Sequence, residues 1–257
     1  MNERKTTSLQ ALILAAGKGT RMNSDLPKVL HRLANKPMIE YVLESSLRAG
    51  IENITVVVGH AREMVEKTVM LWNKENSSVA VEFQFQEQQN GTGHAVLCAR
   101  EKIQNIGDYL IVLLGDVPLI KPETIEKAYA SLTQNRGDML VITTSLENPH
   151  GYGRIIRDDQ KNICCIREEK EASLAEKSIK EINTGVFLFK NTALWSFIDE
   201  LNAHNAQNEY YLTDLVEIMK AQNQKVLTYE CSDSIQFQGI NSPDQLASLE
   251  KLAGVSV

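Results

Sequence analysis

The stretch LILAAGKGTRMNSDLPKVL, residues 12–30, sets an apolar run against Gly17 and Gly19 and then against the cations Lys18, Arg21 and Lys28. Glycine lets backbone N–H groups approach an anion with no Cβ in the way, and a helix starting just after such a loop would add the positive end of its dipole. Pro27 stiffens the approach to Lys28. Together these features point to phosphate. Neither of the two familiar phosphate loops is present: Met22 stands where the dinucleotide fingerprint needs its third glycine, and no Gly-Lys-Ser/Thr follows the required spacer. A bare Gly-x-Gly also suits an ordinary strand-to-helix turn ringed by solvated cations. A second candidate is Asp116, closing YLIVLLGD, where a carboxylate can hold a divalent cation against phosphate oxygens. The histidines His31, His60, His150 and His204 are scattered without metal-ligand spacing, and His94 reads as an ordinary helix-start residue.

The elements that position these groups follow from hydrophobic period. ALILA and NITVVVG are buried strands, and VAVEFQFQ alternates Val79, Val81, Phe83 and Phe85 as a strand with one wet face. Between them PMIEYVLESSLRAG places Met38, Ile39, Val42, Leu43 and Leu47 at helical spacing before Gly50. AREMVEKTVMLWN and HAVLCAREKI are helical, YLIVLLGD and DMLVITTSL are strands, and KPETIEKAYASLTQ carries Pro122 in its first helical turn. Strands alternating with helices over the first 145 residues imply a mostly parallel sheet covered on both faces. Beyond that the rhythm changes. GYGRIIRDDQKNICCIREEK reads as two strands around a polar turn at residues 158–162, and EINTGVFLFK as another, giving a partly antiparallel lobe. TALWSFIDELN and YYLTDLVEIMKAQ are helices, KVLTYECS a strand, and a last helix opens at Ser242 with Pro243 first and Gln245 placed for a capping box.

At 257 residues the chain is long enough for one large domain without disulfides or metals to hold it. Its net charge of -6 argues against a general nucleic-acid binder, so a local cationic pocket points to a small anion. Cys98, Cys164, Cys165 and Cys231 show no C-x-x-C spacing, and an adjacent pair is a poor match to disulfide geometry, which suggests reduced thiols and a cytoplasmic setting. No apolar stretch reaches the ~18 residues of a membrane span, and MNERKTTSLQ lacks an apolar signal core, so no membrane partner is expected.

LAAGKGTRM with PKVL, then QEQQNGTGHA, LLGDVPLI, GYGRI, EINTGVFLF, NEYYLTDL and GIN, taken in that order, resemble the signature of the sugar nucleotidyltransferases. Within that family the order resembles the N-acetylglucosamine-1-phosphate uridylyltransferase domains, over roughly residues 8–252. The resemblance implies an α/β fold with a Rossmann-like, mostly parallel sheet, helices on both faces and a smaller, partly antiparallel sugar-binding lobe. It implies a single nucleotidyltransferase domain over 1–257, with about 8–145 as the nucleotide half and about 146–257 as the sugar lobe and closing helices. The implied reaction joins UTP to N-acetylglucosamine 1-phosphate, releasing pyrophosphate with Mg²⁺ as cofactor. A sibling enzyme using glucose 1-phosphate or another nucleotide, and a non-catalytic nucleotide-sugar sensor, stay open as alternatives.

Residue by residue, the resemblance implies that Leu14, Ala15, Ala16, Gly17, Gly19 and Gly115 wrap the nucleotide. Lys28 would sit on the α-phosphate, Arg21 on the phosphates that leave, and Asp116 with Asn241 on the metal. Gln86, Gly91 and Thr92 would read uracil. Gly153, Glu168, Asn183, Glu209, Tyr211 and Asn241 would face the sugar, with Glu168 favoured over Glu169 across a turn one residue longer than the family's. Lys18 is left as a solvated neighbour. Bacterial members usually continue into a left-handed β-helix that transfers acetyl groups and forms trimers. No six-residue repeat is visible here, so acetyl transfer is not expected, and a monomer or weak dimer is.

Overall fold

The structure, a computed structural model, describes residues 9–252. The polar arm before Leu9 and the final residues of the chain, on which expectations also fall, lie outside the described residues. β1 (Leu9–Ala15) leads through two single 3₁₀ turns, Thr20–Met22 and Lys28–Leu30, to a short hairpin of β2 (Arg32–Leu33) and β3 (Lys36–Pro37). Helices and strands then alternate: α1 (Met38–Arg48), β4 (Asn53–Val58), α2 (Arg62–Glu75), β5 (Ala80–Phe85), α3 (Thr92–Cys98) and α4 (Arg100–Ile103). β6 (Tyr109–Leu114), α5 (Pro122–Gln134) and β7 (Met139–Ser145) continue the pattern. The remainder comprises β8 (Arg154–Arg157), β9 (Ile163–Arg167), α6 (Leu174–Lys177), β10 (Glu181–Lys190), α7 (Asn191–Phe197), α8 (Leu215–Ala221), β11 (Val226–Glu230) and α9 (Pro243–Leu252).

The main sheet has the order β11-β7-β10-β6-β1-β4-β5. Its pairs are parallel except those of β10, which runs antiparallel between β6 and β7. β8 and β9 form the expected hairpin and branch off β10. Residue 145 therefore divides the chain but not the sheet, because β10 and β11 from the second half complete it. This is a Rossmann-like architecture.

Period-2 alternation explains the two cores. On β1, Ala11 and Ile13 join a core with Ile39 and Leu43 of α1, Val65 and Val69 of α2, and Ile125 of α5. Leu12 faces the other way, into a core with Val96 of α3, Leu194 of α7 and Val216 of α8. A central strand buried on both faces has to be apolar throughout, which is why ALILA carries no alternation. α1 buries Met38, Ile39, Val42 and Leu43, while Leu47 is only half-buried.

One expected element is replaced. No α-helix begins at the glycine loop; the chain makes the two 3₁₀ turns instead, and α1 starts only at Met38. Pro27 disfavours a helical Leu26, and Asn23 sits in the left-handed region at φ 49, so a continuous helix cannot form there. Positive charge at this loop comes from side chains, not from a long helix dipole.

Candidate active site

β1 and β6 run parallel in register, Leu14 opposite Leu114, so their carboxyl ends emerge side by side. Ligands in open α/β sheets collect beyond such ends. Gly115 N–H donates to Leu14 O at 3.0 Å, tying the two ends together, and Asp116 follows in the turn. Gly19 has φ 61, and a Cβ there would lie 2.7 Å from Lys28 Cβ. Only glycine allows both the left-handed backbone and that close approach. Val29 and Leu30 are buried and anchor the second 3₁₀ turn beneath Lys28.

Four predicted residues meet at this edge. Lys28 Nζ donates to Asp116 Oδ2 and, at 3.0 Å, to Asn241 Oδ1. Arg21 Nη2 donates to the same Asn241 oxygen at 2.9 Å across 220 positions of sequence. The loop carrying Asn241 is held to the sheet by Ile240 N–H on Asp116 O at 3.1 Å. The expected cap at Ser242 is shifted by one bond. Ser242 Oγ accepts from Gln245 N–H at 3.3 Å, but Gln245 Oε1 takes the N–H of Asn241 at 2.7 Å, not that of Ser242. The side-chain oxygen of Gln245 thus fixes the backbone of Asn241. Asp116 Oδ2 and Asn241 Oδ1 share one cation, so a carboxylate and an amide oxygen lie within reach of a single ion, a donor set suited to a hard divalent metal. Among the described residues no group of three or more His, Cys, Asp or Glu is placed to hold a metal. Lys18 is exposed.

A cleft of about 320 Å³ opens beside this cluster. Leu14, Ala15, Ala16 and Gly17 line it from the strand end, Lys28 and Asp116 from the cationic edge, and Gln86, Gly91, Thr92 and Glu209 from the loops. Val29, Gln89 and Ala95 also line it and were not singled out in the sequence; their only signal is adjacency to the two loops. Gln86 is 3% exposed, and its Nε2 donates to Gly91 O at 3.2 Å and meets His94 Nδ1 at 3.0 Å. His94, read from sequence as an ordinary helix-start residue, thus touches a base-loop candidate, a contact that no spacing in the sequence announces.

Gly91 has φ 102, and a Cβ would lie 2.6 Å from Tyr210 O. The two halves of the chain are stitched here. Tyr210 N–H donates to Asn90 O at 2.8 Å, Gly93 N–H to Tyr210 O at 2.7 Å, and Leu212 N–H to Thr92 Oγ1 at 3.1 Å. The segment bearing Glu209 and Tyr211 is therefore one backbone unit with the segment bearing Gly91 and Thr92.

Of the sugar-side candidates, Glu209 lines the cleft, Gly153, Glu168 and Asn183 gather around β8, β9 and β10, and Tyr211 opens the 3₁₀ turn Leu212–Asp214 that packs on β9. A Cβ on Gly153 would sit 3.4 Å from Glu168 Oε1, and Thr213 Oγ1 donates to that oxygen at 3.2 Å. Burial pushes the Glu168 carboxyl above its usual range, and the nearby carboxylates of Asp214, Glu171 and Glu209 add to the shift. Glu169 has a different occupation: its Oε2 accepts from Arg154, 1% exposed, at 2.8 Å and from Gly151 N–H at 3.2 Å. Asn183 N–H donates to Gly153 O at 2.9 Å, and its Oδ1 accepts from Gly185 N–H at 3.0 Å where the β10–β7 register shifts. Tyr211 is buried at 6% exposure.

No helix among the described residues is long and apolar enough to cross a membrane. The sequence matches the nucleotidyl transferase family over residues 10–234. It is 43% identical to the bifunctional protein GlmU of Syntrophomonas wolfei over 95% of this chain and 53% of that protein. It is 41% identical to the bifunctional protein GlmU of Syntrophotalea carbinolica over 96% of this chain and 52% of that protein. The chain thus spans about half the length of these curated relatives. A solved UDP-glucose pyrophosphorylase in complex with UDP-glucose shares the fold at a TM-score of 0.79 and 19% identity, covering 95% of this chain and 98% of its own. With most of its length inside the family match and its predicted phosphate and metal side chains gathered at one sheet edge, this chain belongs to the nucleotidyl transferase family.

Proposed function

We propose that the chain transfers a uridylyl group from UTP to N-acetylglucosamine 1-phosphate. The observation that carries this reading is the meeting of Arg21, Lys28, Asp116 and Asn241 at the mouth of a cleft walled by the glycine loop. Two polyanionic reactants must be brought together, and their mutual repulsion is the main barrier to doing so. In the reaction a phosphate oxygen of the sugar phosphate bonds to the α-phosphorus of UTP, and the bond from that phosphorus to the bridging oxygen breaks, releasing pyrophosphate. The attacking phosphate is already ionised, so no protein base or nucleophile is called for.

Asp116 and Asn241 would hold Mg²⁺, which when bound supplies charge neutralisation at the phosphate oxygens. Lys28 contacts the α-phosphate and Arg21 the departing phosphates, meeting charge that grows as the bond breaks, which raises rate more than affinity. Gly17 leaves room for phosphate at the backbone, and Gly19 lets Lys28 close against the loop that wraps the nucleotide. Gln86 with Gly91 and Thr92 reads the base; Glu168, Asn183 and Gly153, with Glu209 and the buried Tyr211, form the sugar side. The engagement of Glu169 by Arg154 and Gly151 supports Glu168 as the sugar ligand, since it leaves that carboxylate beside Gly153.

The N-acetylhexosamine is supported by the order of GYGRI, EINTG and NEYY shared with the uridylyltransferase domains. Pyrophosphate release, assayed with UTP or dTTP against N-acetylglucosamine 1-phosphate or glucose 1-phosphate, tests the assignment. Fastest turnover with UTP and the N-acetylated sugar is expected; faster turnover with glucose 1-phosphate would replace the substrate, and binding without turnover would make the protein a sensor.

A further inference from the structure

Gln86 carries one amide oxygen and one NH₂ group, and the structure assigns which faces the cleft. Gly91 O is 3.2 Å from Nε2. A carbonyl oxygen can only accept, so the atom facing it has to be the NH₂ nitrogen. The same nitrogen is 3.0 Å from His94 Nδ1, so Nδ1 accepts and the ring proton stands on Nε2. Cys98 Sγ, four residues further along α3, lies 3.7 Å from that Nε2 and 3.9 Å from Nδ1, so it packs against the ring and leaves the Nε2 proton without this partner. With both N–H bonds of Gln86 taken, its Oε1 is the amide atom left for a ligand in the cleft that Gln86 lines.

We propose that His94 is a positioning residue for base selection. It locks the Gln86 amide so that an acceptor reads the N3–H of a keto pyrimidine. Cytosine has a bare acceptor at N3 and would face Oε1 lone pair to lone pair; uracil and thymine donate there. The inference deepens the uridylyl-transfer reading and rests on it. Without His94 the amide loses one of its two anchors, can turn its NH₂ toward the cleft, and admits cytosine.

The test measures kcat/KM for UTP and for CTP in the wild-type chain, His94→Leu and His94→Asn, with N-acetylglucosamine 1-phosphate as acceptor. Leucine provides no partner for Gln86; the asparagine oxygen can accept from it as Nδ1 does. The UTP/CTP ratio is expected to fall about tenfold in His94→Leu, partly through faster use of CTP, and to return toward wild type in His94→Asn. A general loss of structure would lower both rates and would not raise CTP turnover. An unchanged ratio in His94→Leu, or no return in His94→Asn, overturns the proposal. Independently of any variant, ¹⁵N spectra of histidine-labelled wild-type protein are expected to show His94 protonated at Nε2, and protonation at Nδ1 alone would overturn it. If the wild type itself failed to prefer UTP over CTP, the uridylyl reading would fall and this inference with it, a result distinct from any change confined to His94 variants.

Discussion

Lys28 Nζ stands 3.0 Å from Asn241 Oδ1 while also donating to Asp116 Oδ2, so a lysine ammonium lies between the two oxygens proposed to hold the metal. The same lysine is the proposed partner of the α-phosphate. Its side chain and that of Asp116 are 18% and 14% exposed, so this pair is screened less than a surface ion pair.

Removing the ammonium should therefore have opposite effects on metal binding and on turnover. Lys28→Met is expected to bind Mn²⁺ about tenfold more tightly than wild type in the absence of nucleotide, because the divalent ion no longer competes with a fixed charge. Uridylyl transfer should drop about 10²–10³-fold. Electron paramagnetic resonance titration of free Mn²⁺ reads the first effect, and equal or weaker binding by the variant would contradict the competition.

Arg21 and Asp116 should separate cleanly from folding. Arg21→Ala removes a side chain whose bond to Asn241 is at the surface, so the melting temperature should hold while transfer falls about 10²-fold. Asp116→Asn should lose nucleotide-free Mn²⁺ binding as well as activity. Unchanged pyrophosphate release from either variant would count against the charge-neutralisation account.

The adjacent carboxylates Glu168 and Glu169 should divide between chemistry and stability. Glu169→Gln leaves Arg154, whose side chain is 2% exposed, without its anion and should cost about 3 kcal/mol in urea unfolding. Glu168→Gln keeps an oxygen for Thr213, should not lower stability, and should raise KM for the sugar phosphate about tenfold. The reverse pattern would transfer the sugar contact to Glu169.

Asp214 gives a pH signature. Burial first, then the carboxylates of Glu171 and Glu217, push its carboxyl from 3.8 up to about 6. The folded state then holds the proton more tightly than the unfolded chain, so this group's contribution to stability falls as pH rises from about 4 to about 6. Asp214→Asn should be more stable than wild type by about 1–2 kcal/mol at neutral pH, with the difference vanishing near pH 4. Chemical denaturation at the two pH values measures it; a constant difference would mean that the titration is not the cause.

Hydrophobic period in the sequence placed the strands and most helices, because a strand buried on both faces must be apolar throughout and an amphipathic helix must repeat its apolar face each turn. The residue types at the glycine loop and at Asp116 already pointed to phosphate and to a hard cation. Side-chain chemistry is local, so those expectations could be drawn before the placement of the groups was known. What the sequence did not contain was proximity. That Arg21 and Asn241 share one bond depends on Ile240 being held to Asp116 O, and that Glu209 lines the cleft beside them depends on Tyr210 pairing with Asn90 and Gly93. A helix directly after the glycine loop was expected for its dipole, and Pro27 with the left-handed Asn23 prevents it. Period cannot reveal β10 entering antiparallel between β6 and β7, or Glu169 taken by Arg154 while Glu168 accepts from Thr213. Each is decided by which distant backbone is folded alongside, and that is a property of tertiary packing alone.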